Sequence, residues 1–299
     1  MPDSIWDLIE MFKTALNARL ILETLLPNLK VAAAYARSMQ SKIATLPAKE
    51  QGDNFFAAAL TDADLAIQNL VEVTLLGLFP DIRFYGEEYE SSRNTKYFRA
   101  TELGADGDYL VTLDPIDGTK FYMDGHSNYQ IILSILNPDD FEAVIAISPA
   151  QNTYYYALRG EGTFHGTLEM NLAACQPLQI TSFAPNILLG WGMNAIAPAL
   201  KNLYKVISVE NDYSSQTAIP NVNGMLTGDL SGAVIRKGKF IDGAALAFLA
   251  REAGCIVTTL DGKTPPPLHT CQDYSLPGLI IAASPTVHEH LLVATQNLK

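Results

Sequence analysis

Apolar residues recur at Ile5, Leu8, Ile9, Phe12 and Leu16, behind a capping-box stretch Ser4-Ile5-Trp6-Asp7. That spacing predicts an amphipathic helix, which Pro27 should interrupt. A second helix is predicted over "LKVAAAYARSMQSKIA", followed by "LPAKEQGDN", a polar loop rich in helix breakers. Thr61 to Asp64 forms another capping box. Beyond it Ile67, Leu70, Val71 and Leu75 line one side until Pro80 forbids continuation.

The periodicity then changes to that of strands. "IRFYGEEYE" reads as a short strand ended by Gly86, with Glu87 and Glu88 on its exit. Strand signals follow at "YLVTL", "YQIILSIL", "AVIAIS" and "TYYYAL", separated by Gly, Pro, Asp and Asn, which favours antiparallel pairing. "ALRGEGTFHG" reads as a hairpin turning at Arg159 to Gly162, and "LAACQPLQITS" as a connector. A domain boundary is therefore expected near Ile180, giving an α+β unit over 1–180 and an α/β unit over 181–299. In the second unit "NILLGW", "YKVISV", "SGAVIR", "CIVTTL" and "LIIAAS" alternate with a helix from Asp242 to Ala253 and a terminal helix after Ser284-Pro285.

Composition narrows the class. With 299 residues, 48% hydrophobic and 17% charged, the chain has material for large cores and room for two domains. No apolar run approaches the roughly 20 residues that span a bilayer. Asp3, Asp7 and Glu10 interrupt what an export signal would need, so a cytoplasmic protein is expected. Cys175, Cys255 and Cys271 are odd in number, widely spaced and without CxxC, which argues against a disulfide framework or zinc knuckle. His288 and His290 are two apart and point to different faces of a helix, against a zinc site. A net charge of −12 repels nucleic acid and anionic lipid, so neither nucleic acid nor membrane is expected as a partner; contact with phosphate would be local and cation-mediated.

One stretch concentrates the chemistry. "LDPIDGTKFYMDG", residues 113 to 125, follows the apolar "YLVT". Asp-Pro and Asp-Gly are common turn dipeptides, and a turn after a strand needs no function. Yet a strand that reads as buried would deliver the carboxylates of Asp114 and Asp117 into a poor solvent, at a high cost unless a cation pairs with them. Gly118 and Thr119 add backbone N–H groups at a helix start, where phosphate binds well.

"GEE" at 86 to 88, "DPIDGT" at 114 to 119, and Asp242 ahead of "AALAFLAREAG" resemble the signature set of the inositol monophosphatase family, magnesium-dependent and lithium-sensitive phosphatases. The likeness extends from Thr61 to nearly the C-terminus. It implies a layered α/β/α/β/α sandwich of the inositol monophosphatase/fructose-1,6-bisphosphatase type, an α+β domain meeting an α/β domain at the site. It further implies two or three Mg2+ ions. Glu87, Asp114 and the carbonyl of Ile116 would hold one; Asp114, Asp117 and Asp242 would hold a second. Thr119, with Glu87, would orient the attacking water, and the amides of Gly118 and Thr119 would bind phosphate. Asp64 either supports the water or a weaker third metal, or is only the N3 half of a capping box; Asp242 as a mere N-cap is the blander alternative to a ligand. Glu88 reads as a supporting or solvated acid.

The chain departs from the family pattern at Ile241, where tryptophan is usual, and at Cys255, where glycine is common. "VIRKGKFID" carries Arg236, Lys237 and Lys239 where inositol-specific members have an acid, and Lys120 resembles the "DGTK" of the 3′-phosphoadenosine 5′-phosphate phosphatase branch. Lys120 and Arg236 are therefore candidate substrate contacts to a second phosphate; a solvated helix lysine is the alternative for Lys120. The expected function is hydrolysis of a small phosphorylated metabolite, 3′-phosphoadenosine 5′-phosphate first, with inositol or sugar phosphates as alternatives. A non-catalytic homologue that binds a phosphorylated ligand is the competing class, and a homodimer is common in the family.

Overall fold

The computed structural model describes residues 16–42, 61–88 and 109–296. The capping box expected at Ser4 to Asp7 and the polar loop "LPAKEQGDN" lie outside them. Helix α1, Ala18–Met39, is capped by Asn17, whose side chain accepts from the Leu20 amide. It runs straight through Pro27, correcting the two helices expected on either side of that residue. The reason is which face Pro27 occupies. Pro27 is exposed, while Ile21, Leu22, Leu25, Leu26, Leu29, Ala32, Ala33 and Ala36 are buried along the opposite stripe. Burying that stripe outweighs the roughly 3 kcal/mol that an internal proline costs a helix. Helix α2, Asp62–Leu78, starts at the Thr61 capping box and stops short of Pro80, as the sequence predicts.

Strands β1 (Arg83–Gly86) and β2 (Leu110–Asp117) pair in parallel, and a short helix α3 (Thr119–Met123) follows directly. Strands β3 (Gln130–Leu136), β4 (Phe141–Ser148), β5 (Thr153–Leu158), β6 (Gly162–Thr167) and β7 (Gln176–Pro177) continue the sheet in order, each antiparallel to its neighbour. Seven strands thus form the first sheet.

The chain passes to a second sheet between Pro177 and Asn186. There follow β8 (Asn186–Leu189), α4 (Ala197–Leu200), β9 (Lys205–Ser208), α5 (Gly224–Thr227), β10 (Gly232–Ile235), β11 (Gly238–Lys239), α6 (Gly243–Glu252), β12 (Ile256–Thr259), β13 (Ser275–Leu276), β14 (Leu279–Ala282) and α7 (Pro285–Thr295). The five-stranded sheet has the order β12-β14-β10-β8-β9, and β11 pairs with β13 in a separate ribbon.

Three apolar clusters stack these elements into layers. One face of the first sheet, with Val111, Leu113, Ile131 and Ile145, packs on α1 and α2. Its other face, with Ile132, Phe141, Val144 and Ala157, packs on α6, whose far side meets Ala233, Leu279 and Ile281 of the second sheet. Ile187, Val234 and Ile280 turn outward under Ile196, Leu200, Val287 and Leu291. Helix, sheet, helix, sheet, helix is the resulting order, with α6 buried between the sheets. Among the described residues no helix is long and apolar enough to cross a membrane.

Because Pro27 lies on the solvent side of α1, Pro27→Ala should restore a helical hydrogen bond without disturbing the core. Urea denaturation should show the unfolding free energy rising by about 1–2 kcal/mol, part of the roughly 3 kcal/mol helix penalty being offset by the freer unfolded chain. A destabilised variant would mean that Pro27 has a packing role.

Candidate active site

The turn "DPIDGT" is built on a defect in the sheet. Along β2, Asp114 pairs with Ile132 and Asp117 with Gln130, so four residues face three and the strand bulges. Pro115, which has no N–H to give, sits within that bulge. The parallel ladder with β1 ends at Gly86 opposite Leu113, and the Glu87 amide still donates to the Leu113 carbonyl at 3.0 Å. Glu87 therefore arrives beside Asp114. Gly118 then turns the chain with φ +83°, and a Cβ there would stand 2.8 Å from the Phe121 ring. Only glycine meets both conditions.

The turn delivers Thr119, 7% exposed, to the start of α3. Its hydroxyl donates to the Ile116 carbonyl at 2.9 Å and lies 3.3 Å from Asp64 Oδ1. Asp64 Oδ2 meanwhile accepts from the Thr61 amide at 2.8 Å and the Thr61 hydroxyl at 2.6 Å. The capping-box reading of Asp64 holds, one oxygen closing the box, and the other oxygen faces Thr119.

Asp242 caps α6, its side chain accepting from the Gly243 amide. The Lys239 ammonium is 3.9 Å from Asp242 Oδ2. Behind Glu87, Gly86 makes room for Gln68, whose Oε1 accepts from the Glu88 amide at 2.8 Å; a Cβ on Gly86 would come within 2.3 Å of that oxygen. The Gln68 amide group also donates to Glu72 at 3.1 Å. Glu88 is buried, 3% exposed, and so it is not the solvated acid that the sequence allowed.

These acids perturb one another. Burial first, then Glu87, Asp117 and Asp242, hold the Asp114 carboxyl well above its usual range. Asp117 is pushed up to about 8 by burial and by Asp242 and Glu87, although part of its surface remains in water. Asp64 rises to about 7 through burial, against the Thr61 hydrogen bonds. Asp242 rises to about 6, because burial outweighs the relief from Lys239 and the Gly243 amide.

The cluster fits a hard cation. Asp114 is 3% exposed, and its Oδ1 is buried with no hydrogen-bond partner, a state that an ion would relieve. The donors are all oxygens, as magnesium prefers. Among the described residues no group of three or more acids, histidines or cysteines is placed so that it could hold a metal ion as it stands, so the fit rests on the unpartnered Asp114 oxygen and on the donor chemistry.

The other sequence candidates lie differently. The Lys120 ammonium pairs with Asp124 at 2.9 Å, and Asp124 also accepts from the Tyr213 hydroxyl. Arg236 is exposed and lies along Gly192, whose missing Cβ would stand 2.9 Å from its side chain. Neither is among the charges acting on Asp114, Asp117 or Asp242; Lys239 is. Lys239 was legible in sequence as the basic residue three before Asp242, but nothing there separated it from Arg236 and Lys237. Gln130, which donates to Asp117 Oδ2 at 3.4 Å, gave no signal beyond its place in a strand. His288 and His290 bond separately to Thr258 at 2.8 Å and Tyr204 at 2.7 Å, and all three cysteines are free.

The model of the inositol monophosphatase family matches residues 22–299. The inositol-1-monophosphatase ImpA of Mycolicibacterium smegmatis is 28% identical over 254 residues, 82% of this chain and 81% of its own. A putative Nus factor SuhB of Neisseria meningitidis is 27% identical over 199 residues, 63% of this chain and 69% of its own. Among solved structures, an IMPase/NADP phosphatase complexed with Mg2+ and phosphate shares the fold with a TM-score of 0.66 at 18% identity, covering 93% of this chain and 96% of that one.

The raised carboxyls predict how the metal-free protein responds to pH. A folded pKa above the ordinary 3.8 means that the native state holds protons the unfolded chain has released, so stability is present at low pH and lost as pH rises through the folded values, about 6 for Asp242, 7 for Asp64 and 8 for Asp117. In excess chelator the melting temperature should fall by at least about 2–4 °C between pH 5 and pH 8.5, the response of a chain this size to about 1 kcal/mol. Magnesium should remove most of that fall. A flat profile in chelator would mean that the acids are not held against their own charge.

Proposed function

Because the chain belongs to the inositol monophosphatase family, whose model matches it from residue 22 to 299, we propose that it is a magnesium-dependent phosphomonoesterase acting on a small phosphorylated metabolite. The observation that carries this reading is the buried, unpartnered oxygen of Asp114, set beside a threonine hydroxyl poised between a carbonyl and a carboxylate. Glu87, Asp114, the Ile116 carbonyl, Asp117 and Asp242 would hold the magnesium ions. When bound, magnesium supplies Lewis-acid stabilisation of the charge that develops in phosphoryl transfer.

The remaining work falls to the chain itself. Thr119 Oγ, its proton donated to the Ile116 carbonyl and Asp64 Oδ1 3.3 Å away as a second acceptor, would accept a hydrogen bond from the attacking water, which Glu87 would help to orient. The amides of Gly118 and Thr119 bind the phosphate, since the first amides of a helix have no acceptor within it. A protein that only bound a phosphorylated ligand would have no use for this hydroxyl relay, which favours catalysis over the binding class.

The substrate is a finer matter. The argument for 3′-phosphoadenosine 5′-phosphate rested on Lys120 and Arg236; with the Lys120 charge already matched by Asp124, that support weakens and singly phosphorylated sugars or inositol come forward. The relatives do not choose, one being named for inositol 1-phosphate hydrolysis and another as a putative Nus factor.

Phosphate release from a panel of 3′-phosphoadenosine 5′-phosphate, inositol 1-phosphate, fructose 1,6-bisphosphate and histidinol phosphate should require magnesium and be inhibited by lithium. Full activity in excess chelator would sink the proposal. Asp117→Asn should lower the rate at least about a hundredfold. Above about pH 8, where Asp117 is ionised, the same change should also raise the melting temperature in chelator, because it removes one charge from the cluster. A variant with most of its rate would take Asp117 out of the ligand set.

A further inference from the structure

Lys239 is held where a metal would have to contend with it. Its strand β11 pairs with β13, Lys239 opposite Ser275. A Cβ on the preceding Gly238 would stand 2.9 Å from Leu279 and 3.4 Å from Ala244, so the ribbon is seated tightly on the start of α6 and on β14. Three residues later the chain reaches Asp242, and the ammonium spans back to its Oδ2 at 3.9 Å. The side chain is about half exposed, at 48%, so its aliphatic stem can swing without breaking a core contact.

Asp242 is the acid that Lys239 contacts, at 3.9 Å, and the lysine charge also lowers the cost of ionising Asp114 and Asp117. Resting on the magnesium reading above, we infer that Lys239 is a tethered cation that occupies the second metal position electrostatically, steadies the metal-free acids, and must be displaced when magnesium binds. It is a positioning residue for the ligand carboxylates, and it weakens magnesium affinity as the direct consequence of stabilising the protein without it. An ammonium and a divalent ion sharing Asp242 repel one another, so occupancy by one lowers affinity for the other.

Magnesium titration by calorimetry of the wild type, Lys239→Gln and Lys239→Arg tests this without reference to activity. Lys239→Gln should bind magnesium at least about threefold more tightly, roughly half a decade in Kd, and melt lower in chelator. Lys239→Arg, which keeps the charge, should behave as wild type on both counts. Lys239→Met retains the stem and serves as a second neutral variant should Lys239→Gln fail to fold. The difference between charged and neutral variants should shrink as salt is raised, as screening requires. Equal or weaker magnesium binding in a folded neutral variant overturns the tethered-cation role and leaves the metal site standing. A wild type that takes up no magnesium overturns the metal reading together with everything that rests on it.

Discussion

The mutual repulsion of Asp114, Asp117, Asp242 and Glu87 is the constraint around which the rest is arranged. Asp114 belongs to a central strand flanked on both sides, and its carboxylate is cut off from water. A lone buried carboxylate would take up a proton; neighbouring negative charge makes that outcome stronger for Asp114, Asp117 and Asp242, whose pKa values are raised. A cation would relieve that cost. On the magnesium reading, a divalent ion would return the free energy lost in assembling the acids, and the site would be built at the expense of the metal-free fold.

Local devices hold the repelling groups in place. The bulge at Pro115 and the left-handed Gly118 end β2 within one residue of Asp117, sending the carboxylate and the Thr119 hydroxyl to the same place. The Asp64 capping box fixes one carboxylate oxygen to the start of α2 and leaves the other for Thr119, so a helix cap becomes an arm of the site. Gly86 admits Gln68, which holds the Glu88 amide and thereby the exit on which Glu87 rides. Each device uses a residue with an ordinary local role, and this is why each also has a bland reading in sequence.

What could be read from sequence divides along the same line. The capping box at Thr61, the stop before Pro80, the antiparallel run from β2 to β6 and the hairpin at Gly160 rest on nearest-neighbour rules, and they appear where expected. Pro27 failed because a propensity of a few kcal/mol met a buried stripe of eight apolar residues elsewhere on α1, and tertiary burial prevailed. Asp114, Asp117, Asp242, Glu87, Asp64 and Thr119 stand out in sequence through motif and resemblance; in the fold the first four act on one another's charge, and Thr119 faces Asp64. Lys120 stands out in sequence through its likeness to "DGTK" and Arg236 through its place in a basic run ahead of Asp242. Only a three-dimensional partner list could show that Asp124 already engages one and that the other lies along Gly192, while Lys239 reaches the acids.

Asp242 also explains why helix α6 sits where it does. The aspartate is far along the chain from Asp114, and a ligand set drawn from two sheets needs a stiff link between them. Helix α6 supplies it: Ala244 to Ala250 are buried between the sheets, and the C-terminal end is fastened to loops of the first sheet. Arg251 pairs with Asp140 at 2.8 Å, Glu252 accepts from the Gly160 amide at 2.9 Å, and Thr163 donates to the Leu249 carbonyl at 2.7 Å. The N-terminal end carries Asp242 to the acids. Anchoring one end of a ten-residue helix to the sheet that bears Asp114 fixes the reach of the other, so the separation of the ligands is set by a helix length and not by a loop.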